Sequence, residues 1–121
     1  MSIIDDNVPI YLQISNFIEE EILNGRLQID EKVPSTNDFS RIMKINPATA
    51  GKGLNELVDQ EILYKKRGLG MFVNKDALNI IIKKRRYQFN HEIFPNFIKE
   101  AKQLQIGQDE LIEMIRGDYH A

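Results

Sequence analysis

The sequence predicts an α+β fold, mainly helical, and three observations carry that prediction. Apolar residues recur at helical spacing from Ile10 to Ile22 and again from Ala50 to Val58. Two short runs rich in β-branched, aromatic and long side chains, Ile62 to Lys66 and Met71 to Asn74, flank Arg67-Gly68-Leu69-Gly70, whose glycines supply the positive φ of a hairpin loop. Beyond Ala77 aromatic and aliphatic residues continue at near-helical spacing through Leu104. Short helices leading into a basic hairpin have the layout of a winged helix-turn-helix, here over residues 1–75, followed by a short helical dimerisation tail over 76–121.

Each element has its own signals. The first helix is expected from about Ile10 to Asn24: Pro9 sits at its entry, Ile10, Ile14, Phe17, Ile18 and Ile22 form its core face, and Gly25 stops it. Its triplet Glu19-Glu20-Glu21 reads as a solvated face, because consecutive helix positions diverge by about 100° and no histidine or pocket motif accompanies them. An irregular connector follows, with a short strand expected near Lys32 and Val33. Ser35 is placed to cap the second helix, Asp38 completes a capping box, and Phe39, Ile42 and Met43 are expected to face inward.

A turn at Lys44-Ile45 leads to Asn46, an N-cap, and Pro47, which suits the first helical position because its missing N–H would be unpaired there anyway. Ala50, Leu54, Leu57 and Val58 then point inward, leaving Ala48, Thr49 and Lys52 outside. Gly51 and Gly53 weaken this helix by about 1 kcal/mol each unless close backbone approach explains them. In the tail, Pro95 is expected to kink the helix or to begin a new one after His91 or Glu92. A last helix, about Gln108 to Ile115, is expected to carry Leu111, Ile112 and Ile115 inward.

Composition narrows the function. A hydrophobic content of 42% is enough for a core, and with no cysteine there is neither a disulfide framework nor a thiolate nucleophile. His91 and His120 stand alone, so neither metal nor cofactor is expected, and no catalytic constellation points to an enzyme. Met1 to Asp6 shows no basic and apolar leader pattern, and no run approaches the roughly 20 apolar residues of a membrane span, so a cytoplasmic protein is expected. The net charge of −2 hides an asymmetry. Between Arg41 and Arg86 eleven cations face four carboxylates, which leaves the remainder strongly acidic. Such a split lets one face attract phosphates.

The physical use of this layout is DNA recognition. An α-helix fits the major groove, and its first turn, with free N–H groups, meets bases and phosphates, while the hairpin tip reaches the adjacent backbone or minor groove. Candidate contacts are Ser35, Thr36, Asn37, Lys44, Asn46, Ala48, Thr49 and Lys52 on the helices, and Lys65, Lys66, Arg67 and Gly68 on the wing. The apolar tail is too short for a core of its own and points to a second copy, with Leu78, Ile81, Ile82, Phe89, Ile93, Phe94, Phe97, Ile98 and Leu104 as the dimer interface. A symmetric dimer reads an inverted repeat. The basic run Lys83-Lys84-Arg85-Arg86 reads equally as a phosphate contact near the dyad or as the solvated side of a helix.

Five blocks then carry a family resemblance: Pro9-Ile10-Tyr11-Leu12-Gln13-Ile14, Gly25-Arg26-Leu27, Pro34-Ser35, Asn46-Pro47-Ala48-Thr49 and Arg67-Gly68-Leu69-Gly70-Met71-Phe72-Val73. In order and spacing they resemble the DNA-binding domain of GntR-family transcriptional regulators, and the Asn-Pro-x-Thr start with a short remainder resembles the YtrA subfamily. The resemblance implies a homodimeric repressor with a helical dimerisation tail and implicates Ser35, Thr49, Lys52, Arg67 and Gly68 in DNA contact. Asn37 replaces a common arginine and Gly51 a frequent basic residue, each removing a possible contact. Those losses keep open the alternative of a winged-helix interaction adaptor without its own operator, and whether a small-molecule effector binds stays open.

Overall fold

The computed structural model describes residues 7–120, so the reading of Met1 to Asp6 lies outside the described residues. Helix α1 spans Ile10–Leu23 and buries Ile14, Ile18 and Ile22. Glu19 is buried with them, so the expected solvated face of the Glu19-Glu20-Glu21 triplet holds for the exposed Glu20 and the half-buried Glu21 only. Gly25 ends it at φ +77, its N–H bonding to Ile22 O at 3.1 Å while the Arg26 N–H reaches Glu21 O at 2.9 Å, a Schellman closure that only glycine enters without strain. Helix α2 (Thr36–Met43) and helix α3 (Pro47–Asp59) follow, then strands β1 (Leu63–Lys66) and β2 (Gly70–Val73).

The strands pair antiparallel, with Leu63 opposite Val73, Tyr64 opposite Phe72, Lys65 opposite Met71 and Lys66 opposite Gly70. The turn between them is Arg67-Gly68-Leu69, closed by the Leu69 N–H on Lys66 O at 2.9 Å, with Gly68 at φ +77. The strand expected near Lys32 and Val33 is an isolated antiparallel bridge, Lys32 to Phe72, flanked by the Val33 N–H on Met71 O at 3.0 Å.

The chain forms two units, residues 1–83 and 84–121. In the first, α1 supplies Ile14, Ile18 and Ile22, α2 Phe39, α3 Ala50, Leu54 and Leu57, the hairpin Leu63 and Val73, and the start of helix α4 (Ala77–Gln88) supplies Ala77 and Ile81. Each fully buried leucine or isoleucine contributes about 1.5–3 kcal/mol. The contact boundary therefore falls inside α4 rather than at the end of the hairpin. Ile81 is a core residue of the first unit and offers no surface to a partner, contrary to its expected place in a dimer interface.

Gly53 is where α1 and α3 meet. A Cβ there would stand 2.6 Å from the Tyr11 carbonyl oxygen and 3.1 Å from Ile14 Cβ, and the Ser15 hydroxyl donates to Gly53 O at 2.8 Å. Close backbone approach thus explains Gly53. Gly51 has no such role: the nearest atoms to its missing side chain are those of Thr36 at 3.8 Å. Ile42 is exposed instead of inward. Phe39 and Met43 lie about 40° apart around the α2 axis and take the inward face, which turns Ile42 about 60° to the other side.

The second unit contains the end of α4, a π turn at Phe89–Ile93, α5 (Phe94–Gln103) and α6 (Gln108–Tyr119). Of the two expectations for Pro95, a kink or a new helix, the structure has the second: α5 begins at Phe94 after the π turn, with Pro95 in its first turn. Pro95 has no N–H for a carbonyl four residues back, and the widened turn carries the chain past that gap, with the Phe94 N–H bonding to Phe89 O. Helix α6 runs beyond the expected Ile115, which is exposed, while Leu111 and Ile112 are half-buried.

Candidate nucleic-acid interface

The first turn of α3 faces outward as the cap signals require. Asn46 Oδ1 accepts the Ala48 N–H at 2.8 Å, and the Asn46 carbonyl accepts from Thr49 at 3.0 Å and Ala50 at 3.1 Å. Pro47 has no N–H. The main-chain donors expected to be free for bases or phosphates are therefore already engaged, and contact from this turn falls to side chains. Asn46, Ala48 and Lys52 are exposed and Thr49 is half-exposed. Thr49 brings a hydroxyl that donates or accepts, and Ala48 a methyl that suits an apolar contact with thymine.

Lys52 is held in a way the sequence did not announce. Its ammonium lies over the Tyr11 ring, 3.9 Å from the centroid. Tyr11 is next to the apolar stripe of α1, and that position was the available signal.

At the entry to α2, the capping box forms in full: Asp38 N–H donates to Ser35 Oγ and Ser35 N–H to Asp38 Oδ2, both at 3.0 Å. The Ser35 amide, then its hydroxyl, and the Arg41 guanidinium 3.2 Å away hold the Asp38 carboxyl below the usual carboxylate range. Ser35 is thereby a structural residue of this turn, with Asn37 exposed next to it and Thr36 half-buried against Gly51. Lys44 closes α2 in the left-handed region at φ 55 and is exposed.

The wing places Lys65, Lys66, Arg67 and Gly68 together at an exposed tip. Tyr64 and Phe72 stack across the strands with centroids 5.7 Å apart, and the Lys66 ammonium stands 5.1 Å from the Phe72 ring. The Tyr64 hydroxyl donates to Asp30 at 2.7 Å, which raises its pKa because the proton is shared with a carboxylate. The outward start of α3 and this tip thus belong to one unit, with Lys52 on the helix and three cations on the hairpin. Among the described residues no group of three or more histidines or carboxylates could hold a metal ion, and no helix is long and apolar enough to cross a membrane.

No family model matches the chain. A crystal structure of a GntR-family transcriptional regulator from Bacteroides thetaiotaomicron is 31% identical and superposes with a TM-score of 0.76, covering 91% of this chain and 96% of that one. The chain belongs to the GntR family. The HTH-type transcriptional repressor YtrA of Bacillus subtilis (strain 168) is 26% identical over 110 residues, 91% of this chain and 84% of the repressor. S. agalactiae BusR, solved in complex with its busAB-promotor DNA, is 27% identical with a TM-score of 0.57, covering 90% of this chain and 54% of BusR.

As a GntR-family member the chain is akin to transcription regulators. Of the expected dimer residues, Leu78, Ile82, Phe89, Ile93, Phe94, Phe97 and Leu104 are exposed, Ile98 is half-buried and Ile81 is in the core. Within the second unit Ala101 is the one buried hydrophobic residue among the described residues, while Met114, Ile115 and Tyr119 add to the exposed apolar surface.

Proposed function

We propose that this chain is a cytoplasmic transcriptional repressor that binds an inverted-repeat operator as a homodimer, reading bases with the outer side chains of α3 and gripping the backbone with the wing. One observation carries the reading: a capped, outward first turn on α3 lies in the same unit as a hairpin tip bearing three consecutive cations. Asn46, Ala48, Thr49 and Lys52 supply the base-side contacts, with Asn37, Thr36 and Lys44 flanking them. Lys65, Lys66 and Arg67 neutralise phosphates, and Gly68 lets the main chain come close. The repressor YtrA and the promoter-bound BusR are relatives that support the same action here.

A second copy covers the apolar surface of the second unit. Phe89, Ile93, Phe94, Phe97 and Leu104 are exposed on a piece of chain that buries little of its own, and large aromatic residues left to water mark an interface. A twofold axis then sets two α3 helices on half-sites about one helical turn apart.

Fluorescence anisotropy with the chain's own promoter region, at two salt concentrations and against competitor DNA, tests the proposal. Binding that competitor does not remove, at a stoichiometry of two chains per site, is the expected result. Weak binding that salt reverses completely would instead support an interaction adaptor without an operator.

A further inference from the structure

One face of the wing holds a cation outside the hairpin itself. Residues paired directly across a ladder share a face, so Tyr64, Phe72, Lys66 and position 70 lie on the same side. Lys32, in the connector before α2, is bridged antiparallel to Phe72, and its side chain rises from that side too. There the missing side chain of Gly70 leaves a gap that Lys32 fills. A Cβ at position 70 would stand 2.8 Å from Lys32 Cε, 3.6 Å from Nζ and 3.7 Å from Cδ. The lysine stem therefore lies across the Gly70 main chain and carries its ammonium to the strand residue that adjoins the Arg67-Gly68-Leu69 turn.

Among the described residues no ion pair holds Lys32, and the carboxylates beside it in sequence have other partners. Asp30 is engaged by the Tyr64 hydroxyl at 2.7 Å, and Glu31 accepts the Gln28 N–H at 3.2 Å. Lys66, opposite Gly70, is drawn over the Tyr64 and Phe72 rings, 5.8 and 5.1 Å from their centroids. The outer face of the tip is thus flanked by two ammonium groups, one from β1 and one from the connector, with Arg67 at the turn.

We propose that Lys32 is a fourth cation of the wing, laid through the gap at Gly70 so that its ammonium binds a DNA phosphate beside the hairpin tip. The inference rests on the DNA-binding reading above. An ammonium on a flexible stem neutralises phosphate without reading sequence, so Lys32 adds affinity for all duplexes alike and steepens the salt dependence. Gly70 then has a second duty besides its φ of +124: it keeps the lysine's path clear.

The test uses the full chain in fluorescence anisotropy, with a duplex from its own promoter region and a random duplex of equal length, between 50 and 200 mM salt. Lys32→Met keeps the stem and removes the charge. It is expected to reduce the slope of log K against log salt by about 0.9 on both duplexes, so that the fourfold salt step weakens the variant about three- to fourfold less than the wild type. Lys32→Arg is expected to keep the wild-type slope, and Arg67→Ala serves as the reference loss. If Lys32→Met keeps the wild-type slope while Arg67→Ala loses slope, the inference fails and the DNA-binding reading stands. Equal loss of slope in Lys32→Arg and Lys32→Met marks a packing role and overturns it as well. A wild-type chain that binds neither duplex removes the reading on which the inference rests.

Discussion

The Lys52 ammonium stands 3.9 Å from the centroid of the Tyr11 ring, which ties the outer face of α3 to α1. A cation over an aromatic face at an exposed site contributes about 0.5–1 kcal/mol, and here it also limits where the lysine can point. Lys52 is the only cation of α3. Its hold on Tyr11 keeps it in one place instead of leaving it freely moving.

Tyr11→Leu is expected to lower stability by about 1 kcal/mol and to weaken operator binding, whereas Tyr11→Phe, which keeps the ring, retains both. Urea melts paired with anisotropy titrations check this. Equal operator affinity in all three proteins would show that the ring does not place Lys52 for DNA.

The two glycines of α3 should respond in opposite ways. Gly53→Ala puts a methyl 2.6 Å from the Tyr11 carbonyl oxygen and is expected to cost several kcal/mol by forcing α1 and α3 apart. Gly51→Ala meets only ordinary contacts at 3.8 Å and is expected to stabilise the helix by up to about 1 kcal/mol. Thermal unfolding of the two single variants decides the matter; a milder loss for Gly53→Ala than for Gly51→Ala would contradict this packing.

Acid sensitivity should trace to the α2 cap. The Asp38 carboxyl is held below its ordinary value by Ser35 and Arg41, so it contributes stability that is present above the unfolded carboxylate's pKa and is lost as pH falls through the lowered folded one. Asp38→Asn is therefore expected to flatten the stability profile between neutral pH and that acid limb. Ser35→Ala, which removes the cap acceptor, is expected to cost about 1 kcal/mol at neutral pH. Urea midpoints across pH for both variants provide the check, and a wild-type-shaped acid limb in Asp38→Asn would refute the assignment.

At the wing, Arg67→Ala is expected to lower operator affinity and reduce the salt slope by about 0.9, the share of one phosphate contact. Titrations at several salt concentrations measure it. An unchanged slope removes Arg67 from the backbone contacts.

The aromatic surface of the second unit gives a separate prediction. Phe94→Glu with Phe97→Glu should raise the dimer dissociation constant by about tenfold or more, since buried aromatic anchors carry most of an interface's energy. Sedimentation equilibrium reads the change directly. Unaltered association would place the dimer surface elsewhere.

Much of this architecture was legible in the residues because local rules agreed with one another. Ser35 with Asp38, Asn46 with Pro47, and Gly68 in the hairpin turn each state a backbone geometry in a few residues, and the structure has all three. What the sequence hid depends on pairs distant along the chain. Gly53 reads as a weakness in sequence, yet Tyr11 and Ile14 lie against it, and Lys52 on the outer face of α3 rests over the Tyr11 ring. Ile81 continued an apolar tail in sequence yet closes the core of the first unit, because helical spacing says which residues are apolar together and not which neighbour covers them. The donors at the start of α3 follow the same pattern: the cap that marks the helix in sequence also consumes its first N–H groups.

The π turn at Phe89–Ile93 gives the second unit a built-in phase shift. A wide turn holds one residue more than an α turn, so everything from Phe94 onward is rotated by about 100° relative to an uninterrupted helix. Phe94 and Phe97 owe their angular address to that single extra residue. Insertions and deletions in this segment would act as a screw on the aromatic surface, turning it without unfolding the helix. Homologues that differ here by one residue could keep the same side chains and still meet a different partner.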